Sequence, residues 1–218
     1  MIKLSAASKM PCKSWSLESM VTCPGSVNVS TGEVADACEI CYARGGFYNM
    51  PVVKALRVHN KQDWKRDAFV PEFIIKLDTE RYFRWFDSGD CYSLKLAWKM
   101  YAIMLATPWC KHWFPTRQHK FDKFKEVLDA MELLPNVVVR RSSDSISGEL
   151  VSGLNSSTIV PFVETEINFL GNSEVCLAYE RKGKCDTCRA CWDKDVEVII
   201  YPAHGRKASK LIKMREAA

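Results

Sequence analysis

Tyr82-Phe83-Arg84-Trp85-Phe86-Asp87-Ser88-Gly89-Asp90 is the stretch that decides the fold. An aromatic run of strand length stops at a turn of Asp, Ser and Gly, so it reads as a short buried strand and a tight turn. Ser93 to Thr107 follows as a helix, with Leu94, Leu96, Trp98, Tyr101 and Leu105 among its apolar residues. The unit then repeats. Lys111 to Pro115 reads as a second strand, followed by Thr116-Arg117-Gln118, and Lys120 to Leu134 as an amphipathic helix. Asn136 to Arg140 is a third strand, ending in Arg141-Ser142-Ser143-Asp144-Ser145. Thr158 to Val163 and Val196 to Tyr201 supply two more. Upstream, Pro51 to Ala68 reads as a helix, with Pro51 in its first turn and Val53, Leu56, Val58 and Trp64 as its apolar face. Phe69 to Leu77 reads as another helix, with a strand as the alternative.

Strands alternating with helices imply βα units and a parallel sheet. The expected fold is α/β, a partial or compact (β/α) barrel. It has an irregular Cys-rich N-terminal loop and a C-terminal Cys-rich metal site. Residues 1–50 form the metal-binding loop segment, 51–170 the βα core, and 171–218 a cysteine segment completing the same domain. Parallel α/β folds place their active sites at the carboxyl ends of the strands. Three successive strands with polar endings therefore predict one polar rim.

The chain has 218 residues, 47% of them hydrophobic, with seven Trp, which suits one globular domain. No apolar stretch approaches the ~18–20 residues of a membrane helix. The N-terminus lacks the apolar run of a secretory signal. The expectation is a cytoplasmic protein with no membrane partner. A net charge of +5 permits a nucleic-acid partner without demanding one.

Ten cysteines remain to be explained. The reducing cytosol disfavours disulfides, and clustered cysteines there read as metal ligands or catalytic groups. Cys12, Cys23, Cys38 and Cys41 form a first group, the last two as a CxxC within an otherwise patternless segment. Cys176, Cys185, Cys188 and Cys191 form a second, three of them as CxxCxxC, with His204 as an alternative fourth ligand. Zinc and iron–sulfur both suit such thiolates. Cys91 and Cys110 stand apart and read as packing residues. No P-loop or GxGxxG is present, and no His pairs with Ser or Cys as in a hydrolase triad.

Several motifs carry a resemblance. Lys9-Met10-Pro11-Cys12-Lys13-Ser14-Trp15-Ser16-Leu17, Thr22-Cys23-Pro24-Gly25-Ser26, Cys38-Glu39-Ile40-Cys41-Tyr42-Ala43, the Phe86–Asp90 turn and Cys185 to Trp192 resemble the bacteriophage "gene product 88" family across nearly the whole chain. That family brings no activity with it. A broader resemblance, to radical S-adenosylmethionine (SAM) enzymes, implies chemistry. Cys38-Glu39-Ile40-Cys41 resembles the closing pair of their cluster loop, with Cys23 as the third ligand of a 4Fe-4S cluster. Gly89 and Asp90 stand where their Gly-Gly-Glu turn meets the SAM amino group. Ser88, Thr116, Arg117, Ser142 and Ser143 are then the remaining SAM-binding candidates, the C-terminal cysteines an auxiliary cluster, and an electron donor a required partner. The resemblance is imperfect: fourteen residues separate Cys23 from Cys38, where three are usual, and the turn reads Ser-Gly-Asp. Cys12 is the pivot. Three ligands would leave an iron open to SAM, and four would close the site.

Two other readings stay open. Asp87-Ser88-Gly89 and the Cys185, Cys188, Cys191 and His204 set also resemble transglycosylases that insert a 7-deazaguanine into nucleic acid. There Asp87 or Asp90 and Asp144 would be the catalytic carboxylates, with a structural zinc. A zinc-stabilised nucleic-acid-binding module is the non-enzymatic alternative, using Lys111 to Lys120 and the basic Arg206 to Arg215 tail. The leading expectation is an iron–sulfur enzyme of radical-SAM character modifying a nucleic acid or nucleotide (DNA or RNA).

Overall fold

In the computed structural model the first sheet strands come from a segment in which the sequence predicts none. The model describes residues 1–153, 155–161, 171–204 and 206–216, with the side chains of 206, 215 and 216 left aside. The N-terminus supplies β1 (Ser5–Ala6) and β2 (Lys13–Trp15), then the single-turn helix α1 (Asp36–Glu39). The predicted core follows: α2 (Pro51–Asp63), α3 (Phe69–Lys76), β3 (Tyr82–Trp85), α4 (Leu94–Ala106), β4 (Lys111–Thr116), α5 (Lys125–Leu133) and β5 (Val137–Ser142). Then come β6 (Ser156–Val160), β7 (Ser173–Val175), β8 (Val198–Pro202) and α6 (Arg206–Glu216). The fourth predicted strand, Thr158 to Val163, starts two residues early as β6, and its last two positions lie outside the described residues.

The strands form one eight-stranded sheet of order β1-β2-β3-β4-β5-β6-β8-β7, in which only β1 runs antiparallel to its neighbour. The α/β reading and the parallel sheet hold. The barrel does not follow: among the described residues the sheet is open, with β1 and β7 as its edges.

Strand side chains alternate between faces, and the two faces differ in kind. Phe83 and Trp85 of β3, Phe114 of β4 and Val137 and Val139 of β5 join Phe69, Phe73, Leu96, Met100 and Met131 in the main core. Phe73 stacks on Trp85 with ring centroids 5.0 Å apart. Each such fully buried apolar side chain contributes ~1.5–3 kcal/mol, so α3, α4 and α5 are held to this face. Cys91 and Cys110 lie in the same core, fully buried, as expected. The opposite face carries Tyr82, Trp113 and the fully buried Arg140, and is covered by the short 3-10 turn of residues 190–192 and by Cys12 rather than by α3, α4 or α5.

Helix α2 corrects the predicted apolar face. Val58 is exposed, and the buried positions are Arg57, Asn60, Asp63 and the adjoining Trp64. The helix turns a polar stripe inward because its partners lie on the turn after β3 and on the N-terminus. Asn60 donates to the Ser16 carbonyl (3.0 Å), and Asp63 accepts from the Met1 amino group (3.3 Å). No described helix is long and apolar enough to cross a membrane.

Candidate functional site

The segment after β2 is threaded along the turn after β3. Phe86 N donates to Trp15 O (2.8 Å), Leu17 N to Ser88 O (3.0 Å) and Asp90 N to Thr22 O (3.1 Å). The approach needs glycine. Gly89 has φ +75, and a Cβ there would lie 2.7 Å from both Leu17 Cβ and Thr22 Oγ1. Phe86 is also left-handed (φ 55), a strained state for an aromatic residue. Packing of its ring on Trp15 and Phe114 holds it there. A Cβ on Gly25 would fall 2.6 Å from Arg117 Cβ, so the Cys23 turn is equally tight against the end of β4.

This threading delivers Cys23 to the rim. Ser26 N donates to Cys23 O (2.9 Å), Ala35 N to Ser26 O (2.9 Å) and Cys38 N to Ala35 O (2.7 Å), so the loop folds back and brings Cys38 and Cys41 beside Cys23. Ala37 N donates to Asp144 O (3.0 Å), which ties α1 to the end of β5. Burial pushes the Cys23 thiol up to about 12, with Asp90, Cys38 and Cys41 adding to the rise. Burial also raises the Cys38 thiol, against the opposing charge of Arg117 and Lys120.

Cys12 is not in this group. It packs with Trp113, Trp192 and Cys191 on the sheet face opposite α3, α4 and α5, and its thiol senses Cys185. The expected first group of four is therefore a group of three, and Cys12 joins the C-terminal cysteines. The physical reason is the strand between them: β2 runs from Lys13 to Trp15, which puts Cys12 at its amino end and Cys23 beyond its carboxyl end. In kind the donors fit a thiophilic metal. As the side chains stand, no group of three or more His, Cys, Asp or Glu among the described residues could hold a metal ion.

The polar rim is a connected network. Asp87 is buried, pairs with Arg57 (3.2 Å), accepts from the Ser16 hydroxyl and receives the Tyr48 hydroxyl at 3.4 Å. The Ser88 hydroxyl donates to Leu17 O (2.7 Å) and accepts from Arg57 Nε. Asp90 accepts from Thr116 Oγ1 (2.8 Å), Arg117 N (2.9 Å) and Cys91 N (2.7 Å). Burial nevertheless holds the Asp90 carboxyl above the usual range, the donors pulling the other way. Arg117 Nε donates to Asp144 (3.1 Å) and its Nη2 to Ser143 O (2.7 Å). Lys120 also pairs with Asp144 and donates to Gly25 O (2.9 Å). Ser142 lies 3.5 Å from the Ser157 hydroxyl, and the Ser143 hydroxyl accepts from Ser145 N (3.1 Å). The structure thus brings Asp87, Ser88, Gly89, Asp90, Thr116, Arg117, Ser143 and Asp144 onto the rim that borders Cys23 and Cys38. Sequence reasoning missed Arg57, Tyr48 and Lys120; the only signal was Arg57 at helical spacing from Asn60 and Asp63.

The second thiol group lies at the amino end of β2, with Cys12. Cys185 N donates to Lys9 O (2.9 Å), Cys188 N to Cys185 O (3.0 Å) and Cys176 N to Ile200 O (2.8 Å). The Cys191 sulfur is 3.7 Å from the Tyr201 hydroxyl. Arg140 anchors the segment, donating to the carbonyls of Ala190 (2.8 Å), Cys191 (3.2 Å), Asp193 (2.9 Å), Val196 (3.0 Å) and Ser156 (3.4 Å). His204 stacks on Tyr179, and its Nδ1 meets Pro202 O at 3.0 Å.

Fold and site define an α/β protein with a mostly parallel open sheet and a thiol group toward either end of β2. The family model of gene product 88 matches residues 2–194, and the chain belongs to that family. The match takes in all ten cysteines and stops short of His204. No curated protein and no solved structure matches the chain.

Proposed function

We propose that this protein is an iron–sulfur enzyme of radical-SAM character, a phage-type enzyme that modifies a nucleic acid or nucleotide. One observation carries the reading: with Cys12 at the other end of β2, Cys23, Cys38 and Cys41 are left as a three-thiol group. Three thiolate ligands leave one iron of a four-iron cluster free for a cofactor. The placement supports it too, since the group follows the first parallel strand and borders the Asp87–Asp90 turn. These three cysteines would hold the cluster, closing on it by side-chain rotation, and the bound group would supply one-electron cleavage of SAM.

The chain's own residues then bind and orient. The turn held by Arg57 and Asp87 offers backbone groups at Gly89 to the SAM amino group. Asp90 fixes Thr116 and the Arg117 backbone, so the Arg117 guanidinium, already on Asp144 and the Ser143 carbonyl, faces the rim as a ready partner for a carboxylate or phosphate. The mild basicity of the chain favours an anionic substrate. Base exchange is less well supported, because Asp87 is buried against Arg57 and Ser16 and offers no free carboxylate oxygen as a nucleophile.

The test is iron and acid-labile sulfide content of anaerobically purified protein, followed by conversion of SAM to 5′-deoxyadenosine under a strong reductant. The reading expects both. Colourless protein with zinc at every thiol group would overturn it.

A further inference from the structure

We propose that Cys12, Cys176, Cys185, Cys188 and Cys191 make up a second, separate thiolate centre for a soft metal, and that Arg84 is its half-buried counter-charge. The inference stands apart from the radical-SAM reading and shares with it only the position of Cys12.

The geometry begins with the docking of the N-terminus on the CxxCxxC turn. Lys9 O accepts from Cys185 N at 2.9 Å, and Cys12 packs with Trp113, Trp192 and Cys191. Cys176 is held beside them through Ile200 O, and Cys191 through Tyr201. Residues distant in sequence thus assemble five thiols in one region, whose sulfurs as they stand do not yet converge on one metal position.

The second observation is a cation without a carboxylate ion pair. Arg84 projects from β3 onto this face, its guanidinium 4.3 Å above the Trp113 ring. Its Nη1 meets only the Met10 sulfur (3.3 Å), its Nη2 the Tyr42 hydroxyl (3.1 Å), and its buried Nε has no partner. Arg140, fully buried, meets only carbonyls. Among the described residues neither forms an ion pair with a carboxylate. A buried guanidinium left uncompensated is strongly unfavourable. Besides Tyr42, Asp87 and Tyr201, the Arg84 charge reaches three of the thiols, Cys12, Cys185 and Cys191. Four thiolates around zinc, or around an iron–sulfur cluster, carry a net negative charge that complements the buried Arg140 and the half-buried Arg84. The metal displaces the thiol protons on binding, so the thiols need not be ionised beforehand.

Five thiols exceed the four that either centre uses. Cys188 is the exposed member, at the edge of the group. Cys12 is buried and sits against Cys191.

The experiment is metal content with visible and Mössbauer spectra on anaerobic protein, comparing wild type with Cys12→Ser, Cys38→Ser, Arg84→Met and Arg84→Lys. Iron with a cluster spectrum identifies the iron–sulfur form, and zinc in colourless protein the other. Cys38→Ser is expected to leave this centre at wild-type occupancy, whereas Cys12→Ser lowers it severalfold. Arg84→Met lowers its metal retention in the same direction, and Arg84→Lys, which keeps the charge, restores most of it. Circular dichroism matching wild type excludes global unfolding. The proposal is overturned if Cys12→Ser depletes the centre that Cys38→Ser depletes, if it depletes neither, or if Arg84→Met retains full occupancy. Loss of the Cys38-dependent centre from wild type would sink the radical-SAM reading while leaving this one intact.

Discussion

Gly89→Ala probes the join between the Cys23 segment and the turn after β3, and its cost divides into two parts. The first is conformational. At φ +75 a side chain enters the left-handed region, which costs ~1–2 kcal/mol. The second is steric. The new Cβ would sit 2.7 Å from Leu17 Cβ and 2.7 Å from Thr22 Oγ1, and such overpacking adds ~1–3 kcal/mol. The sum is ~2–5 kcal/mol, a large share of a domain's ~5–15 kcal/mol. Two controls isolate the parts. Gly32 has φ +73 with nothing within 4 Å of its Cβ position, so Gly32→Ala meets only the first part, ~1–2 kcal/mol. Gly25 lacks the positive φ but faces Arg117 Cβ at 2.6 Å, so Gly25→Ala meets only the second, ~1–3 kcal/mol. Urea unfolding under anaerobic conditions, with unchanged m, reads all three. If Gly89→Ala costs no more than Gly32→Ala, the close approach of the Cys23 segment to the turn is refuted.

Three further outcomes follow from the same network. Asp87→Asn leaves Arg57 buried without its anion and should cost ~3–5 kcal/mol in the same unfolding assay; a loss below ~1 kcal/mol would point to a freely available carboxylate at Asp87. Burial depresses His112 to about 3 from 6.5, with Trp85 Nε1 donating to its Nδ1 at 3.2 Å. The unfolded chain therefore takes up the proton first, so the stability contributed by neutral His112 is complete above pH ~6.5 and falls by ~1.4 kcal/mol per unit as pH drops toward 3. His112→Gln should flatten that slope between pH 6.5 and 5, and an unchanged slope would assign it elsewhere. Arg140→Met strips donors from five carbonyls, and trypsin should then cut within residues 171–194 of the folded protein, where wild type resists.

Much of the core was legible because its patterns are local. The 82–145 stretch announces strand, turn and helix by aromatic runs, Asp-Ser-Gly punctuation and a 3.6 period, and β3 to β5 fall within two residues of expectation. What stayed hidden depends on distant partners. β2 is three residues long and reads Lys-Ser-Trp; it becomes a strand only by pairing with β3. The inward face of α2 looked apolar because Val58 and Leu56 are apolar, yet Arg57 turns inward toward an Asp thirty residues away. Sequence order groups Cys12 with Cys23, and the strand between them carries the two to opposite ends of β2. Three polar strand endings are visible in the sequence, but the hydrogen bonds that join them to the cysteine loop belong to no one segment.

The central claim is that Cys23, Cys38 and Cys41, without Cys12, form the SAM-binding centre. Its most direct test is the electron paramagnetic resonance spectrum of the reduced, anaerobic Cys12→Ser protein with and without SAM. The account predicts a cluster signal that shifts on SAM addition, and its loss in Cys23→Ser, Cys38→Ser and Cys41→Ser alike. A signal indifferent to SAM, or one that Cys12→Ser abolishes along with the other three, would contradict it.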